Sequence, residues 1–285
     1  MYPANFTYHA PGSVDEALTL MNEHGYDAKL MAGGHSLLPT MKLRLATPAH
    51  LIDLKNLKKD LQYVRDEGDT VAIGALTTYY DAMTSSVVRE KAAVFAKTIE
   101  QVGDMQVRNL GTLGGSIAHA DPAGDPPAAI LAADATMVIR NKDGERQVPA
   151  TEFFQGFFET AVGDGDILTE IRVPAHHGGS AYEKFKHPAS GYAVVGVAVN
   201  LHKDGDKVGA VRVGVTGVSD GAYRATEVEN ALSDQSFSED LAASAAEQAT
   251  SGVDPLEDNF ANADYRRGLA RALAKKAVIA AWNNS

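Results

Sequence analysis

Lys29-Leu30-Met31-Ala32-Gly33-Gly34-His35-Ser36 and, further along, Arg108-Asn109-Leu110-Gly111-Thr112-Leu113-Gly114-Gly115-Ser116 are the two stretches whose reading decides the fold. The first runs a short apolar strand, Ala28 to Ala32, directly into two glycines. Without a Cβ, the main chain can approach an anion closely, several N–H groups can converge on it, and the Ser36 hydroxyl adds a donor. That is pyrophosphate-binding chemistry. The pattern is neither G-x-G-x-x-G nor G-x-x-x-x-G-K-S/T, so neither the Rossmann fingerprint nor the P-loop is supported. Taken alone, a Gly-Gly after a strand reads equally well as a turn.

The second stretch is too rich in glycine and small residues for an ordinary helix, and implies a close backbone approach or a tight turn. His119, Asp121 and Asp125 follow it. Two such loops in one domain suggest two walls around one extended phosphate-containing ligand, with Asp125 accepting hydrogen bonds from a hydroxylated part of it. The competing reading makes Gly114-Gly115 a packing contact, with Asp121-Pro122 and Asp125-Pro126 as turn and helix-start signals.

Working outward, Ser13-Val14-Asp15-Glu16 is a capping box, and Val14, Ala17, Leu18 and Met21 define one apolar helix face that Gly25 ends. A strand at His50–Asp53 precedes a hairpin in which Leu61–Val64 and Val71–Ile73 flank Asp66–Asp69. Helix is predicted around Val88–Val102 and, with proline in its first turn, from Pro126 to Ala133. Ala135–Arg140 and Glu145–Val148 form a hairpin about Asn141–Gly144, and Ile167–Val173 alternates as a strand. His176–Ser180 has linker composition, followed by a strand at Tyr182–Lys186, a hairpin turning at Asp204-Gly205-Asp206, and a helical tail.

The chain has no cysteine, which excludes an iron–sulfur cluster, a thiolate metal site, a disulfide or a nucleophilic thiol. Redox chemistry, if present, must sit on a bound organic cofactor or on another subunit. A formal charge of −11 argues against nucleic acid as a partner. No segment approaches the roughly 20 apolar residues of a membrane span, and the N-terminus carries no signal pattern, so the sequence reads as cytoplasmic. Neither His119 with Asp121 nor His176 with His177 has further ligands at useful spacing, so no metal site is expected. No persuasive acid/base pair or covalent attachment residue for a catalytic role stands out either.

In their order and separation the two glycine motifs resemble those of the FAD-binding subunits of molybdenum hydroxylases, the xanthine oxidase group. The likeness is strongest to the medium subunits of aerobic carbon monoxide dehydrogenases. It rests on Tyr2-Pro3-Ala4-Asn5-Phe6-Thr7-Tyr8, Ala32-Gly33-Gly34-His35-Ser36-Leu37-Leu38-Pro39, Arg44–Pro48, Thr112–Ser116, Gly165–Leu168, Tyr182–Lys186 and Tyr192-Ala193, nearly the whole chain. Two departures are Ser116, where asparagine is common, and His187–Gly191, in place of a more basic stretch.

This resemblance implies an α+β protein: an FAD-binding domain of the vanillyl-alcohol-oxidase type over residues 1–177, with subdomains of about 1–57 and 58–177. A smaller domain over 178–285 would carry a three-stranded sheet and helices. Ala32, Gly33, Gly34, His35 and Ser36, with Thr112, Gly114, Gly115 and Ser116, would line the FAD pyrophosphate, with Lys29, Leu37 and Ala118 close by. Asp125 would meet the polar part of the cofactor, Ile167 and Leu168 would pack on it, Lys186 would approach the flavin and Tyr192 would lie by the isoalloxazine ring. The implied partners are a small subunit with [2Fe-2S] clusters and a large subunit with the molybdenum cofactor, in a dimer of heterotrimers. A respiratory acceptor such as a quinone would take the electrons and bring the assembly to the inner face of the cell membrane. The alternatives are a flavin subunit for a xanthine, aldehyde or N-heterocycle substrate, and a self-contained FAD-dependent alcohol or amine oxidase.

Overall fold

The computed structural model describes all of residues 1–285. Ser13 caps the first helix as its sequence predicts: Oγ accepts from the Glu16 N–H at 3.1 Å, the helix runs Val14–His24, and Gly25 closes it at a φ of 55°. Three short strands, β1 (Thr7–His9), β2 (Ala28–Met31) and β3 (His50–Asp53), pair in parallel in the order β1-β3-β2. Parallel neighbours need a crossover, supplied here by Val14–His24 and by the short helix Leu37–Lys42. The glycine loop after β2 therefore leaves the carboxyl edge of a parallel sheet, where α/β units commonly bind ligands.

Next come β4 (Val64–Asp66), β5 (Thr70–Gly74), β6 (Thr136–Asn141), β7 (Gly144–Pro149), a small ribbon of β8 (Phe154–Gly156) and β9 (Glu159–Thr160), and β10 (Ile167–Pro174). Five of these form an antiparallel sheet in the order β4-β5-β10-β6-β7. Strand alternation puts Ile73, Ile171 and Met137 in one cross-strand row, because Ile171 pairs with both of the others. That row is buried with the helices Ala93–Ile99, Leu113–His119 and Pro126–Ala132 in a core of 29 residues.

The last sheet holds β11 (Gly179–Lys186), β12 (Ala193–Asp204), β13 (Lys207–Thr216) and β14 (Tyr223–Arg224), in sequential antiparallel order. Val195, Val197 and Val199 of β12, with Val211, Val213 and Val215 of β13, face the helices Thr226–Leu232, Glu239–Ala246 and Ala263–Asn283. The alternate residues face the other way, and Ala198 and Tyr182 enter the first core. Gly214 permits this two-sided burial, since a Cβ there would overlap the Ala128 carbonyl of the helix Pro126–Ala132. No helix is long and apolar enough to cross a membrane.

Four expectations need correction. Leu61 closes a helical turn, Lys58–Leu61, rather than opening a strand, because its side chain is buried with Leu54 and Leu57 under the first sheet. His176–Ser180 is not all linker: Gly179 and Ser180 already pair with Leu201 and Asn200. The C-terminal sheet has four strands, a two-residue β14 being added where Tyr223 and Arg224 pair with Val215 and Gly214. Met105–Leu110 and Leu113–His119 are helices despite their composition. The second forms because Thr112 caps it, its Oγ1 accepting from the Gly115 N–H at 3.1 Å, while Gly114 lets the helix press on Ala75, whose Cβ would lie 2.5 Å from any added Cβ. The glycines serve the close approach the sequence demanded, but inside a helix.

Candidate functional site

In the first loop, the five successive main-chain N–H groups from Gly33 to Leu37 donate to no acceptor within the chain, and the first bond of the following turn is Leu38 N–H to Gly34 O at 2.9 Å. Gly34 stands at a φ of 72°, a conformation that makes a side chain costly and that turns consecutive N–H groups toward one side. Gly33 is fixed by contact, since a Cβ there would overlap the Leu110 carbonyl oxygen. The two glycine stretches therefore lean directly on one another. Ala32 completes the junction, its Cβ lying 3.5 Å from where a Gly115 Cβ would be.

The second stretch differs chemically. Leu113 N–H donates to Thr77 O, Gly114 N–H to Ala75 O, Gly115 N–H to Thr112 Oγ1 and Ser116 N–H to Thr112 O. The donors from Leu113 to Ser116 are thus occupied, and the stretch offers a side-chain-free face at Gly115 and the Ser116 hydroxyl, beside which lies the buried Tyr79 hydroxyl. Burial pushes Tyr79 well above the ordinary phenol range, so it stays protonated.

Asp125 closes the far side. It is buried, accepts from the Tyr182 hydroxyl at 2.5 Å and lies 2.8 Å from the Lys184 ammonium, whose side chain is 1% exposed. Burial pushes its carboxyl above the usual range, while Lys184, Tyr182 and the charge of Lys186 work against the rise. Lys184 also donates to Gln101 O at 3.1 Å. The turn before Asp125 is clamped by the C-terminal sheet: Gly217 N–H donates to Pro122 O at 2.8 Å, and Ala193 N–H to Ala123 O at 3.1 Å.

Tyr192, 43% exposed, reaches back from that sheet, its hydroxyl facing the Ser36 hydroxyl; burial of part of the ring and the charge of Asp121 push the phenol up. It follows a tight turn at Gly191, φ 78°, in which His187 O accepts from Gly191 N–H and His187 Nδ1 accepts from the N–H groups of Ala189 and Ser190. Lys186, exposed at the end of β11, lies against this turn. Ile167 and Leu168 are buried in two different cores, the first among residues against which Ala32 packs. Lys29, His35 and Ala118 are exposed. Two open clefts of 540 and 430 Å³ lie away from the glycine loop, Asp125 and Tyr192.

Sequence reading missed the Tyr182–Lys184 pair on Asp125. The signal was present, since a strand's two-residue period puts Tyr182, Lys184 and Lys186 on one face, so placing one of them at the site places all three.

The site joins donors for an anion, a close-approach wall and a buried carboxylate shared between both halves of the chain. Residues 4–176 match the family described as FAD binding domain in molybdopterin dehydrogenase, and residues 180–281 match the CO dehydrogenase flavoprotein C-terminal domain. The chain belongs to the FAD-binding subunits of the molybdopterin dehydrogenases. This flavoprotein subunit is 42% identical over 284 residues to the carbon monoxide dehydrogenase medium chain of Hydrogenophaga pseudoflava, covering 99% of each. It is 36% identical over 278 residues to the glyceraldehyde dehydrogenase medium chain of Sulfolobus acidocaldarius, covering 97% of this chain and 98% of that one. A solved carbon monoxide dehydrogenase from Hydrogenophaga pseudoflava that lacks the Mo-pyranopterin moiety superposes with a TM-score of 0.96 at 43% identity, covering 100% and 99% of the two chains. It is accordingly an oxidoreductase subunit whose cofactor is FAD.

Proposed function

We propose that this subunit relays electrons within a carbon monoxide dehydrogenase. Carbon monoxide and water would become carbon dioxide at a molybdenum cofactor on a large partner, and [2Fe-2S] clusters on a small partner would deliver the electrons here. The observation that carries the cofactor assignment is the run of five N–H groups, Gly33 to Leu37, with no acceptor in the chain, set against the glycine wall of Gly111–Ser116. Four of the five belong to buried or half-buried residues, His35 being exposed; such donors need an acceptor, and two adjacent phosphates supply several. In this reading Ala32–Ser36 hold the pyrophosphate, with Leu37 and Lys29 beside them. Thr112, Gly114, Gly115, Ser116 and Ala118 allow the close approach. Asp125, fixed by Tyr182 and Lys184, accepts from cofactor hydroxyls, while Ile167 and Leu168 shape the apolar floor.

Lys186 and Tyr192 would flank the flavin end, and Tyr192, 43% exposed, would keep that end within reach of an acceptor. Bound FAD supplies the electron chemistry, and the protein positions it and limits water. Residues 1–177, divided near residue 57, would form the cofactor domain and 178–285 the smaller one. The assembly would be a cytoplasmic dimer of heterotrimers that reduces a quinone. Carbon monoxide is favoured over glyceraldehyde because identity is higher to the first medium chain, 42% against 36%.

Purification of the native assembly tests this. Flavin and iron–sulfur absorption that bleaches on adding carbon monoxide supports the whole proposal. Bleaching with an aldehyde only would keep the subunit's role and change the substrate. A chain that purifies alone and oxidises an alcohol or amine on its own flavin would overturn it.

A further inference from the structure

Three of the nine histidines, His9, His24 and His50, take no part in the site above and meet at one place. They come from three segments: His9 ends β1, His24 ends the first helix and His50 opens β3. Their ligand nitrogens all lie within 4.8 Å of one another. The His24 and His50 rings are stacked with centroids 3.6 Å apart and 6° between planes, and the His9 ring is 5.3 Å from each. Nε2 of His9 lies 3.0 Å from Nδ1 of His50. All three are half-buried.

Three imidazoles from three separate elements, with their ligand atoms within reach of one another, suit one shared cation. Asp27 and Glu23 lie close enough to act on His50. Those carboxylates and the carbonyl end of the helix Val14–His24 place negative potential beside the cluster. With only nitrogen donors converging, hard oxygen-seeking cations are disfavoured and imidazole-preferring transition metals are favoured. Tetrahedral zinc holds nitrogens at roughly 2.0–2.1 Å in the plane of each ring, so the stacked His24 and His50 rings would turn apart about their side-chain torsions to aim at one ion.

We propose that His9, His24 and His50 form a three-imidazole site for a divalent transition-metal ion, with solvent completing the coordination. The ion ties β1, the first helix and β3 together at the sheet edge where His50 pairs with Ala28, opposite the edge that carries the glycine loop.

The test uses the tag-free, flavin-loaded full chain, titrated with Zn²⁺ by calorimetry and with Co²⁺ by visible difference spectroscopy. One equivalent of each ion is expected to bind, with the ligand-field bands of tetrahedral Co²⁺ and a denaturation midpoint that rises with Zn²⁺. His24→Ala and, separately, His50→Gln should each weaken binding by more than roughly a hundredfold, beyond the 10–100-fold typical of losing a supporting residue outside the coordination sphere. Unchanged flavin content and an unchanged metal-free midpoint would certify folding, and a His176→Gln/His177→Gln control should bind like the parent. If the parent shows no saturable one-equivalent binding, or if either variant binds as tightly as the parent, the three rings are merely packed and the proposal is wrong.

Discussion

Replacing Lys184 with methionine tests whether Asp125 is held by a buried charge pair. The Lys184 side chain is 1% exposed and the Asp125 side chain 6%, with the ammonium 2.8 Å from the carboxylate. Removing one partner of so enclosed a pair leaves an uncompensated charge, which costs about 3–5 kcal/mol. At roughly 2–4 °C per kcal/mol for a chain of this class, the midpoint should fall by roughly 10 °C near pH 7.5. The pH dependence is the sharper reading. Burial already raises the Asp125 carboxyl, and losing Lys184 removes a lowering influence, so the folded-state value climbs further above the unfolded one. An acid raised by folding favours the fold below its unfolded pKa and loses that contribution as pH rises through the folded value. The deficit of Lys184→Met should therefore shrink steadily on acidification from pH 8 toward pH 5. Denaturant unfolding of both chains at matched flavin content would measure it, and Asp125→Asn/Lys184→Met should recover most of the loss. A deficit under 0.5 kcal/mol at pH 7.5 on the scale of surface substitutions, or one that grows on acidification, would refute the reasoning.

Other perturbations separate the parts of the site. Joint replacement of Gly33 and Gly34 by valine should lower the yield of folded chain and abolish FAD retention in what folds, because overlap with Leu110 O and side-chain strain at a φ of 72° displace the N–H array; stoichiometric flavin in the folded variant would remove the assignment. Tyr192→Ala should leave FAD bound and change its reoxidation rate in stopped-flow absorption, and unchanged flavin kinetics would sever the residue from the flavin. Arg266→Leu should cost about 2–4 kcal/mol, because it strips buried carbonyls of Val194 and Gly217 and the Asp258 carboxylate of a charged donor. Chemical denaturation reads that loss, which should come without loss of FAD affinity.

Much of the fold was legible because its signals were local. The Ser13 box and Gly25 fix the first helix within one residue, and the Ile167–Val173 run and the turn at Asp204–Asp206 mark their strands, though the pairings of both shift register further along. Reading failed where tertiary contacts override local preference. Leu113–His119 is helical because Thr112 caps it from within the stretch, while the demand for a residue without a side chain at Gly114 comes from Ala75, just past β5 and distant in sequence. Leu61 likewise alternates convincingly, yet follows the apolar face of a short helix into a core built by residues as distant as Ile167.

The site shows the same division between local and distant information. Glycine pairs announce that backbone must come close to something, but they do not say whether the neighbour is a ligand or the protein. Gly33 and Gly114 press on the chain itself, against Leu110 and Ala75, whereas the five successive N–H groups from Gly33 to Leu37 remain without an acceptor and those from Leu113 to Ser116 are bonded. A hydrogen-bond accounting therefore separates two motifs that composition treats as equivalent: the first is a donor array and the second is the wall that brings it to bear. It follows that a substitution adding bulk at Gly114 should act first on folding, through Ala75. Bulk at Gly115, whose nearest neighbours would be Thr112 Oγ1 at 2.7 Å and Ala32 Cβ at 3.5 Å, should act first on the cofactor. Gly114→Ala losing soluble chain while Gly115→Ala folds and loses flavin is the expected pattern, read by yield and by flavin stoichiometry. The reverse pattern would mean that the walls have been assigned to the wrong glycines.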